Sequence, residues 1–504
     1  MEIIIKMLFN STEYLIFLPI VLLLYFALPN KLKNFWLLAA SYYFYMCWNA
    51  KYALLMLLST AITFASGLLM EKAKHSGKDE ITIIRRKKLI VAISFVSNLA
   101  ILFFFKYFNF GVALLTDILA RLNIELVIPR FDVLLPVGIS FYTFQALSYT
   151  MDVYRDDIYA EKNFFRYALF VSFFPQLVAG PIERSKNLLK QLAVVHKFDF
   201  DNFREGILLM LWGFFLKLVI ADRFAIFIDM VYGAKYMFPG CYLLLATIMF
   251  AFQIYCDFYG YSTIAMGSAK MLGINIMENF NAPYLSCSVA DFWRDWHISL
   301  TSWFKDYLYI PLGGSRKGKF RKYLNIMIVF LTSGLWHGAD LSYVIWGALN
   351  GMYQIAGDIF KPLRDKFVAF FHLNRASIGH KLASGLFTFA LVDFAWIFFR
   401  ASSISEAVAI IKSIIYVHNP WIFFDNSLML TDNANRMVLP LTLCFAVLVF
   451  SDVCKRNGII IRKIIMRQDF WFRWLFIAFS VAIILTFGIW GAGFSESNFI
   501  YFQF

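Results

Sequence analysis

Residues 323–357, YLNIMIVFLTSGLWHGADLSYVIWGALNGMYQIAG, form an apolar stretch whose only charged or imidazole side chains belong to His337 and Asp340. As a single helix this stretch would be about 52 Å long at 1.5 Å per residue. The hydrocarbon core of a bilayer is only ~30 Å thick. Gly334 and Gly338 favour a break near His337, because glycine weakens a helix interior. We therefore predict two short helices with His337 at their junction.

Apolar stretches of this kind recur along the whole chain. Of the 504 residues, 60% are hydrophobic and only 16% are charged, whereas soluble domains carry about a quarter charged residues. We predict an all-α, polytopic transmembrane bundle of about ten to thirteen helices, some of them short or re-entrant. The candidate spans lie near residues 12–29, 35–49, 52–70, 89–108, 133–151, 163–180, 205–231, 241–256, 323–337, 341–357, 383–400, 437–453 and 474–491.

Nothing in the sequence divides the chain into separate domains. It has no tandem repeat, low-complexity stretch or Gly/Ser linker. Its longest polar segments, residues 181–205 and 279–322, are too short to fold as a separate domain. We predict one membrane domain over residues 1–504. The apolar run at residues 14–28 lacks a small-residue cleavage site after it, so we expect an uncleaved first span.

Basic residues give the chain a net charge of +14, and they cluster between apolar runs. Clusters at residues 72–88, 316–322 and 455–467 are typical of cytoplasmic loops under the positive-inside rule, which places the N-terminus outside. This distribution gives no reason to expect a nucleic-acid partner. The six cysteines are scattered without a C-x-x-C spacing, so we expect neither a disulfide framework nor a metal site.

His337 and Asp340 are the first candidates for chemistry, because ionisable groups inside a membrane are rarely idle. If the segment is helical there, the i,i+3 spacing places both side chains on one face. A carboxylate in that position can fix the imidazole tautomer of a general base. The alternative is a histidine at a helix end that only satisfies a backbone carbonyl. Neither H-E-x-x-H nor G-x-S-x-G occurs, so nothing indicates a metalloprotease or a serine hydrolase.

A second candidate region runs from Ser288 to Tyr309. Its apolar stripe consists of Phe292, Trp296, Leu300, Trp303 and Tyr307, and its polar stripe consists of Arg294, His297, Thr301 and Lys305. These spacings predict one amphipathic helix, with Ser288 and Asp291 as its capping box. The helix either lies at the membrane interface or lines an internal passage with its polar stripe, including His297.

Residues 313–320, GGSRKGKF, nearly match the phosphate-binding P-loop, G-x-x-x-x-G-K-[ST]. Phe320 stands where the motif requires a hydroxyl side chain, and the preceding segment is predicted to be a helix instead of a strand. We therefore reject an NTPase function. The basic, glycine-rich loop either attracts a phosphorylated ligand or is solvated positive charge.

Several blocks, taken together in chain order, resemble the membrane-bound O-acyltransferase family and specifically its alginate O-acetyltransferase branch. The similarity runs from Leu8 to the last residue, and its blocks are residues 174–184, 281–284, 291–299, 303–314, 334–339 and 499–504. This resemblance identifies His337, in the Trp-His-Gly block, as the catalytic histidine and His297 as the second functional histidine. Two positions depart from the branch: Asp295 replaces a basic residue, and Asn350-Gly351 replaces a frequent His-Gly pair.

The resemblance implies an O-acetyltransferase of the plasma (inner) membrane that has no permanently bound cofactor. Acetyl-CoA would dock from the cytoplasm with its phosphates at Arg316, Lys317 and Lys319, and its thioester would enter a funnel or tunnel between the helices. His337 would act as the general base. His297 would orient or polarise the acyl group, or stabilise the developing oxyanion.

The resemblance also implies partners outside the membrane. Because the chain has no sizeable external module, the acetyl group would pass to an SGNH-hydrolase-like extracytoplasmic acetyltransferase and from it to a cell-surface or exported polysaccharide. Two alternatives stay open. One is D-alanyl or other acyl transfer to a wall polymer by the same fold. The other is a secondary transporter, although we find no internal repeat with paired broken helices.

Overall fold

The structure, a computed structural model, is built from helices. It describes residues 7–124, 131, 135–178, 180–428 and 434–490, and this part of the chain contains no β-strand. The prediction of an all-α fold is therefore confirmed. The block at residues 499–504, which contributes to the family resemblance, lies outside the described residues.

The chain divides into two compact units, and the first consists of Met1–Ile207 and Ile264–Met277. Its helices are α1 (Thr12–Ala27), α2 (Asn30–Met46), α3 (Ala50–Lys74), α4 (Glu80–Leu102), α5 (Phe108–Arg121), α6 (Ile139–Tyr154), α7 (Phe164–Ser172), α8 (Phe174–Leu177) and α9 (Ser185–Leu192). Helix α10 (Phe200–Phe214) begins in this unit and ends in the second. This division into compact units does not test the expectation of one membrane domain, which stays a prediction.

The second unit consists of Leu208–Thr263 and Glu278–Phe504. Its helices are α11 (Asp222–Gly233), α12 (Cys241–Met271, whose last residues belong to the first unit), α13 (Val289–Asp295), α14 (Ile298–Phe304), α15 (Gly318–His337), α16 (Leu341–Ile359), α17 (Lys361–Phe370), α18 (Ile378–Arg400), α19 (Ile404–Tyr416), α20 (Ala434–Arg456), α21 (Ile461–Met466) and α22 (Phe470–Phe487). Short π-helical turns at Phe103–Tyr107, Phe215–Ala221 and Lys305–Tyr309 continue α4, α10 and α14.

Six helical segments of the described chain are long and apolar enough to cross a membrane. They are Ala50–Lys74, Glu80–Arg121, Cys241–Met271, Ile378–Arg400, Met437–Arg456 and Phe470–Phe487. Helix α1 is also apolar but is shorter. Since each segment reaches the length that a crossing requires, the chain is a multi-pass membrane protein, as its composition predicts.

Two apolar stretches illustrate how helix breaks follow from sequence. The apolar stretch at residues 323–357 is broken as predicted, because α15 ends at His337 and α16 begins at Leu341. The span predicted at residues 163–180 is wrong as a single helix, because α7 ends at Ser172 and the short α8 follows. Pro175 has no N–H to continue the hydrogen-bond pattern of α7, and it lies instead at the start of α8.

Side-chain caps fix where many of the helices begin. A side-chain oxygen of the residue before the helix accepts a hydrogen bond from a backbone N–H of its first turn at Ser11, Asn49, Asp79, Asn163, Ser377 and Ser403. These caps satisfy amide groups that have no acceptor within the helix. The polar residues between the apolar runs therefore set the helix boundaries.

Candidate active site

His337 is the last residue of α15, and the hairpin of α15 and α16 positions it. Helix α15 ends because Gly338 is extended, with φ −157° and ψ 151°. Helix α16 begins after Asp340, whose Oδ1 accepts a hydrogen bond from the N–H of Ser342 at 2.7 Å. His337 therefore lies at the turn of the hairpin, where only 4% of its surface is exposed. This is the junction that the sequence predicts.

Asp340 does not share a helix face with His337, so that prediction is wrong. The i,i+3 argument required a continuous helix, whereas Gly338 is extended and Asp340 itself is extended, with φ −145° and ψ 152°. The carboxylate of Asp340 caps α16, a common use of aspartate before a helix. The spacing of the two residues is thus explained by the helix boundary between them.

Glycine residues bring the two helices of the hairpin into backbone contact. A Cβ atom at Gly334 would lie 2.3 Å from the carbonyl oxygen of Tyr343, and one at Gly347 would lie 2.3 Å from that of Phe330. No side chain fits at either distance, and small residues at helix interfaces are typical of membrane proteins. The position of His337 therefore depends on close packing from both helices.

His297 lies at a break between α13 and α14, so the prediction of one helix over residues 288–309 is wrong. Helix α13 ends at Asp295, and Trp296 is extended, with φ −100° and ψ 130°. His297 then adopts a left-handed conformation, with φ 43° and ψ 53°, before α14 begins at Ile298. The break directs the chain so that His297 is buried, with 1% of its surface exposed.

Other features of this region agree with the prediction. Ser288 caps α13, since its Oγ accepts a hydrogen bond from the N–H of Asp291 at 3.1 Å. The buried members of the predicted apolar stripe are Phe292, Trp296, Leu300 and Trp303. Arg294 has 74% of its side chain exposed, in contrast to His297 in the same predicted polar stripe. A solvated helix face therefore does not account for His297.

The imidazole rings of the two histidines lie close together although they come from separate segments. The ring centroids of His297 and His337 are 6.5 Å apart. The indole of Trp336 lies beside both, with centroid distances of 5.9 Å to His297 and 4.9 Å to His337. The two imidazoles do not share a direct hydrogen bond at this separation, because that requires about 3 Å between the nitrogen atoms.

Aromatic side chains surround both imidazole rings. Trp346 and Phe399 lie edge-on to His337, with ring centroids at 5.0 and 5.4 Å, and Phe258 lies edge-on to His297 at 4.6 Å. All three are buried. Sequence reasoning missed them because they belong to α16, α18 and α12, and no local spacing relates these helices to the histidines. Only the packing of the second unit brings them to the site.

The two positions that depart from the alginate O-acetyltransferase branch have defined partners. Asn350 is buried; its Oδ1 accepts a hydrogen bond from Nε1–H of Trp293 at 3.2 Å, and its Nδ2 donates to the carbonyl oxygen of Trp346 at 2.9 Å. Asp295 forms an ion pair with Arg456 of α20. The negative charge at residue 295 is therefore balanced by a basic side chain from another helix.

The predicted donor-binding residues lie at the opposite end of α15 from His337. Arg316 and Lys317 precede the helix, Lys319 lies in its first turn, and all three are exposed. Lys319 and His337 are about 27 Å apart along the helix axis at 1.5 Å per residue. The structure does not bring these basic residues to the histidines, and their role in binding a donor stays a prediction.

The site offers two imidazoles in an aromatic enclosure as its chemical groups. A neutral imidazole can accept a proton at one nitrogen and donate a hydrogen bond from the other. Among the described residues, no group of three or more His, Cys, Asp or Glu side chains is arranged to hold a metal ion. Two imidazoles placed in this way suit proton transfer and polarisation of a carbonyl group.

The part of the chain that carries the two histidines is similar to known proteins. The sequence model of a family described as "MBOAT, membrane-bound O-acyltransferase family" matches residues 160–391, which include both histidines. The chain is 39% identical to a "Probable alginate O-acetylase AlgI" of Pseudomonas putida, over 80% of this chain and 79% of that protein. It is 31% identical to a "Peptidoglycan O-acetyltransferase" of Helicobacter pylori, over 81% and 80% respectively. A "Teichoic acid D-alanyltransferase" of Bacillus subtilis is 29% identical over 47% of this chain and 63% of that protein.

Proposed function

This chain belongs to the membrane-bound O-acyltransferase family and is a membrane acyltransferase, and from that premise we propose that it takes an acetyl group from cytoplasmic acetyl-CoA and passes it across the membrane. The group serves the O-acetylation of a cell-surface or exported polysaccharide. The names of an alginate O-acetylase and a peptidoglycan O-acetyltransferase among the relatives support acetyl as the acyl group and a glycan as the final acceptor.

The observation that carries this proposal is the pair of buried histidines with ring centroids 6.5 Å apart. Acyl transfer to a hydroxyl needs a base for the hydroxyl proton and a donor for the negative charge that develops on the carbonyl oxygen. A thioester carbonyl between the two rings would meet both requirements. The aromatic enclosure strengthens these interactions, because charges interact more strongly where water is excluded.

In the proposed reaction, His337 accepts the proton of the acceptor hydroxyl while the hydroxyl oxygen attacks the thioester carbonyl carbon. His297 orients the acyl group and donates a hydrogen bond to the tetrahedral oxyanion. The carbon–sulfur bond then breaks, and the thiolate of CoA leaves. This thiolate takes up the proton that His337 held, so that the products are an acetyl ester and free CoA.

The position of the basic loop supports transfer between two sides of the membrane. Arg316, Lys317 and Lys319 would hold the phosphates of CoA through charge-assisted contacts, at the end of α15 remote from His337. The acyl group would then enter between the helices through the predicted funnel or tunnel. Since His337 is only 4% exposed, both the donor and the acceptor need such a passage.

A partner outside the membrane completes the proposed route. The polar segments of this chain are short, so we propose that this chain transfers the acetyl group to an SGNH-hydrolase-like acetyltransferase, which then modifies the polysaccharide. Co-purification of such a protein with this chain would support the relay. Efficient acetylation of the glycan by this chain alone would contradict it.

D-alanyl transfer to a wall polymer is the less well supported alternative. The D-alanyltransferase of Bacillus subtilis matches only 47% of this chain, whereas the O-acetylating relatives match 80% or more at higher identity. Family membership also displaces the transporter alternative, because relatives of this kind are acyltransferases. Acetyl transfer is therefore the function to test first.

The experiment that tests the proposal compares His337→Ala with the unaltered protein in cells whose own copy has been deleted. The measured quantity is the base-labile O-acetyl content of the exported polysaccharide, at equal amounts of protein in the membrane. Loss of the general base predicts a fall of about 10²–10⁴-fold in transfer. Polysaccharide that is acetylated to the normal level by His337→Ala would contradict the assignment.

A further inference from the structure

The conformation of His297 requires support from the surrounding chain. His297 has φ 43° and ψ 53°, a left-handed conformation that is unfavourable for a residue with a Cβ atom. Such conformations persist where neighbouring structure fixes them, often at functional sites. Neighbouring residues must therefore hold this turn in place.

The first backbone amides of α14 are the groups through which the turn can be held. The first N–H groups of a helix have no acceptor within it, and the side chain of the preceding residue usually supplies one. His297 occupies that position, but its side chain makes no capping hydrogen bond. Its ring lies instead beside Trp336 and His337.

Asn279, which lies on a separate segment, provides the missing acceptors. Its carbonyl oxygen accepts a hydrogen bond from the N–H of Ile298 at 2.9 Å, and its side-chain Oδ1 accepts one from the N–H of Ser299 at 3.2 Å. Its Nδ2 donates in turn to Oγ of Ser262 at 3.2 Å. Asn279, Ser262 and Ser299 are each 2% exposed or less. Both ends of the Asn279 amide are thus fixed inside the second unit.

We propose that Asn279 is a positioning residue for the acyltransfer reaction, because it caps α14 in place of His297. This cap fixes the backbone turn that carries His297 and so holds its imidazole at its distance from His337. The proposal rests on the functional role of His297 proposed above. It assigns Asn279 no contact with the acyl group or the acceptor.

Residues beside Asn279 reinforce the same turn from the other flank. The N–H of Asn281 donates to the carbonyl oxygen of Asp295 at 3.0 Å, so that residues 279–281 bridge the break between α13 and α14. Lys455 of α20 donates to the carbonyl oxygen of Phe280 at 2.7 Å. The segment that carries Asn279 is therefore itself held in place.

Ser288 offers a matched control, because it caps the neighbouring helix α13 in the ordinary way. Asn279→Ala and Ser288→Ala each remove one side-chain cap from the same region, but only the first cap lies at the turn of His297. We expect the melting temperature to fall more in Asn279→Ala, because this side chain is buried and makes two hydrogen bonds. We expect kcat for acetyl transfer to fall about 10-fold to 100-fold in Asn279→Ala, since small misplacements of reacting groups have effects of that size. In Ser288→Ala kcat should stay near normal.

The double variant Asn279→Ala/His297→Ala separates positioning from general stability. If Asn279 acts through His297, its replacement has no further effect on kcat once His297 is alanine, whereas multiplicative losses would overturn the proposal. Full activity of His297→Ala would instead contradict the proposed function of His297. Reduced transfer by His297→Ala together with normal transfer by Asn279→Ala would overturn the inference on Asn279 alone.

Asn279→Asp and Ser262→Ala keep the proposal testable if Asn279→Ala does not fold. Aspartate retains the oxygen that caps Ser299 and can accept a hydrogen bond from the Ser262 hydroxyl. We therefore expect Asn279→Asp to retain part of the kcat of the unaltered protein. Ser262→Ala removes only the group that orients the Asn279 amide, and we expect a loss of a few-fold with an unchanged KM for acetyl-CoA. Normal kcat in Ser262→Ala combined with inactive Asn279→Asp would contradict the proposed cap.

Discussion

At the scale of single residues, the site consists of two buried imidazoles that come from separate segments of the chain. The rarity of ionisable groups in apolar stretches predicts His337 as a candidate, and the motif blocks predict His297. Neither signal predicts the 6.5 Å between their ring centroids, because the packing of separate segments sets this distance. The sequence also does not predict that Asp340 caps α16, because residue spacing alone cannot distinguish a continuous helix from one that ends before Gly338.

The assignment of Asp340 as a helix cap leads to a prediction for its variants. Asp340→Ala should lower the free energy of unfolding by about 1 kcal/mol, because the N–H of Ser342 loses its acceptor. Asp340→Ser should retain most of this stability, because its hydroxyl can still cap α16. Both variants should keep most of the acetyl transfer, measured with the purified protein alongside thermal unfolding. A loss of transfer without a loss of stability would show that Asp340 acts on His337.

At the scale of the helix, breaks and close approaches position the site. The sequence predicted the break after α15, because glycine and length both favour it. It did not predict the break at His297, because the apolar stripe of residues 288–309 keeps helical spacing through Trp296 and Leu300. Four of the five residues of that stripe are buried, so the periodicity correctly indicated most of its buried side chains but not the continuity of the backbone.

The contact between α15 and α16 can be tested with two glycines of the same helix. A Cβ atom at Gly347 would meet the carbonyl oxygen of Phe330 at 2.3 Å, whereas one at Gly357 would meet nothing within 4 Å. Gly347→Ala should therefore separate the two helices, at a cost of about 1–3 kcal/mol for overpacking, and should reduce acetyl transfer by displacing His337. Gly357→Ala should leave transfer unchanged and should not lower the melting temperature, because alanine favours the helix more than glycine does. Equal behaviour of the two variants would contradict the close packing.

For the molecule as a whole, composition and hydropathy predicted a multi-pass helical protein, and the described residues confirm it. The funnel between the helices and the orientation in the membrane stay predictions. Lys319 and His337 are separated by about 27 Å at 1.5 Å per residue of α15. The proposed route therefore requires that the donor phosphates bind at one end of this helix and that the chemistry takes place at the other end.

Charge reversal in the basic loop tests donor recognition at that remote end. The double variant Arg316→Glu/Lys319→Glu should raise KM for acetyl-CoA severalfold with little change in kcat, because it opposes the phosphates without moving the histidines. The same loss of attraction should appear in the unaltered protein as salt concentration rises. Lys463→Glu, at an exposed position of α21, is the control. An unchanged KM in the double variant would place the donor elsewhere.

The most direct measurement follows a labelled acetyl group from acetyl-CoA to polysaccharide. The purified protein is placed in lipid vesicles together with the extracytoplasmic partner. The polysaccharide has first been treated with base to remove its own acetyl groups. His337→Gln keeps a hydrogen-bonding side chain but removes the base, and His418→Gln changes an exposed histidine of the same unit. We predict that His337→Gln lowers kcat by about 10²-fold or more, while His418→Gln transfers label normally. Normal transfer by His337→Gln would contradict the role of His337 as the catalytic base.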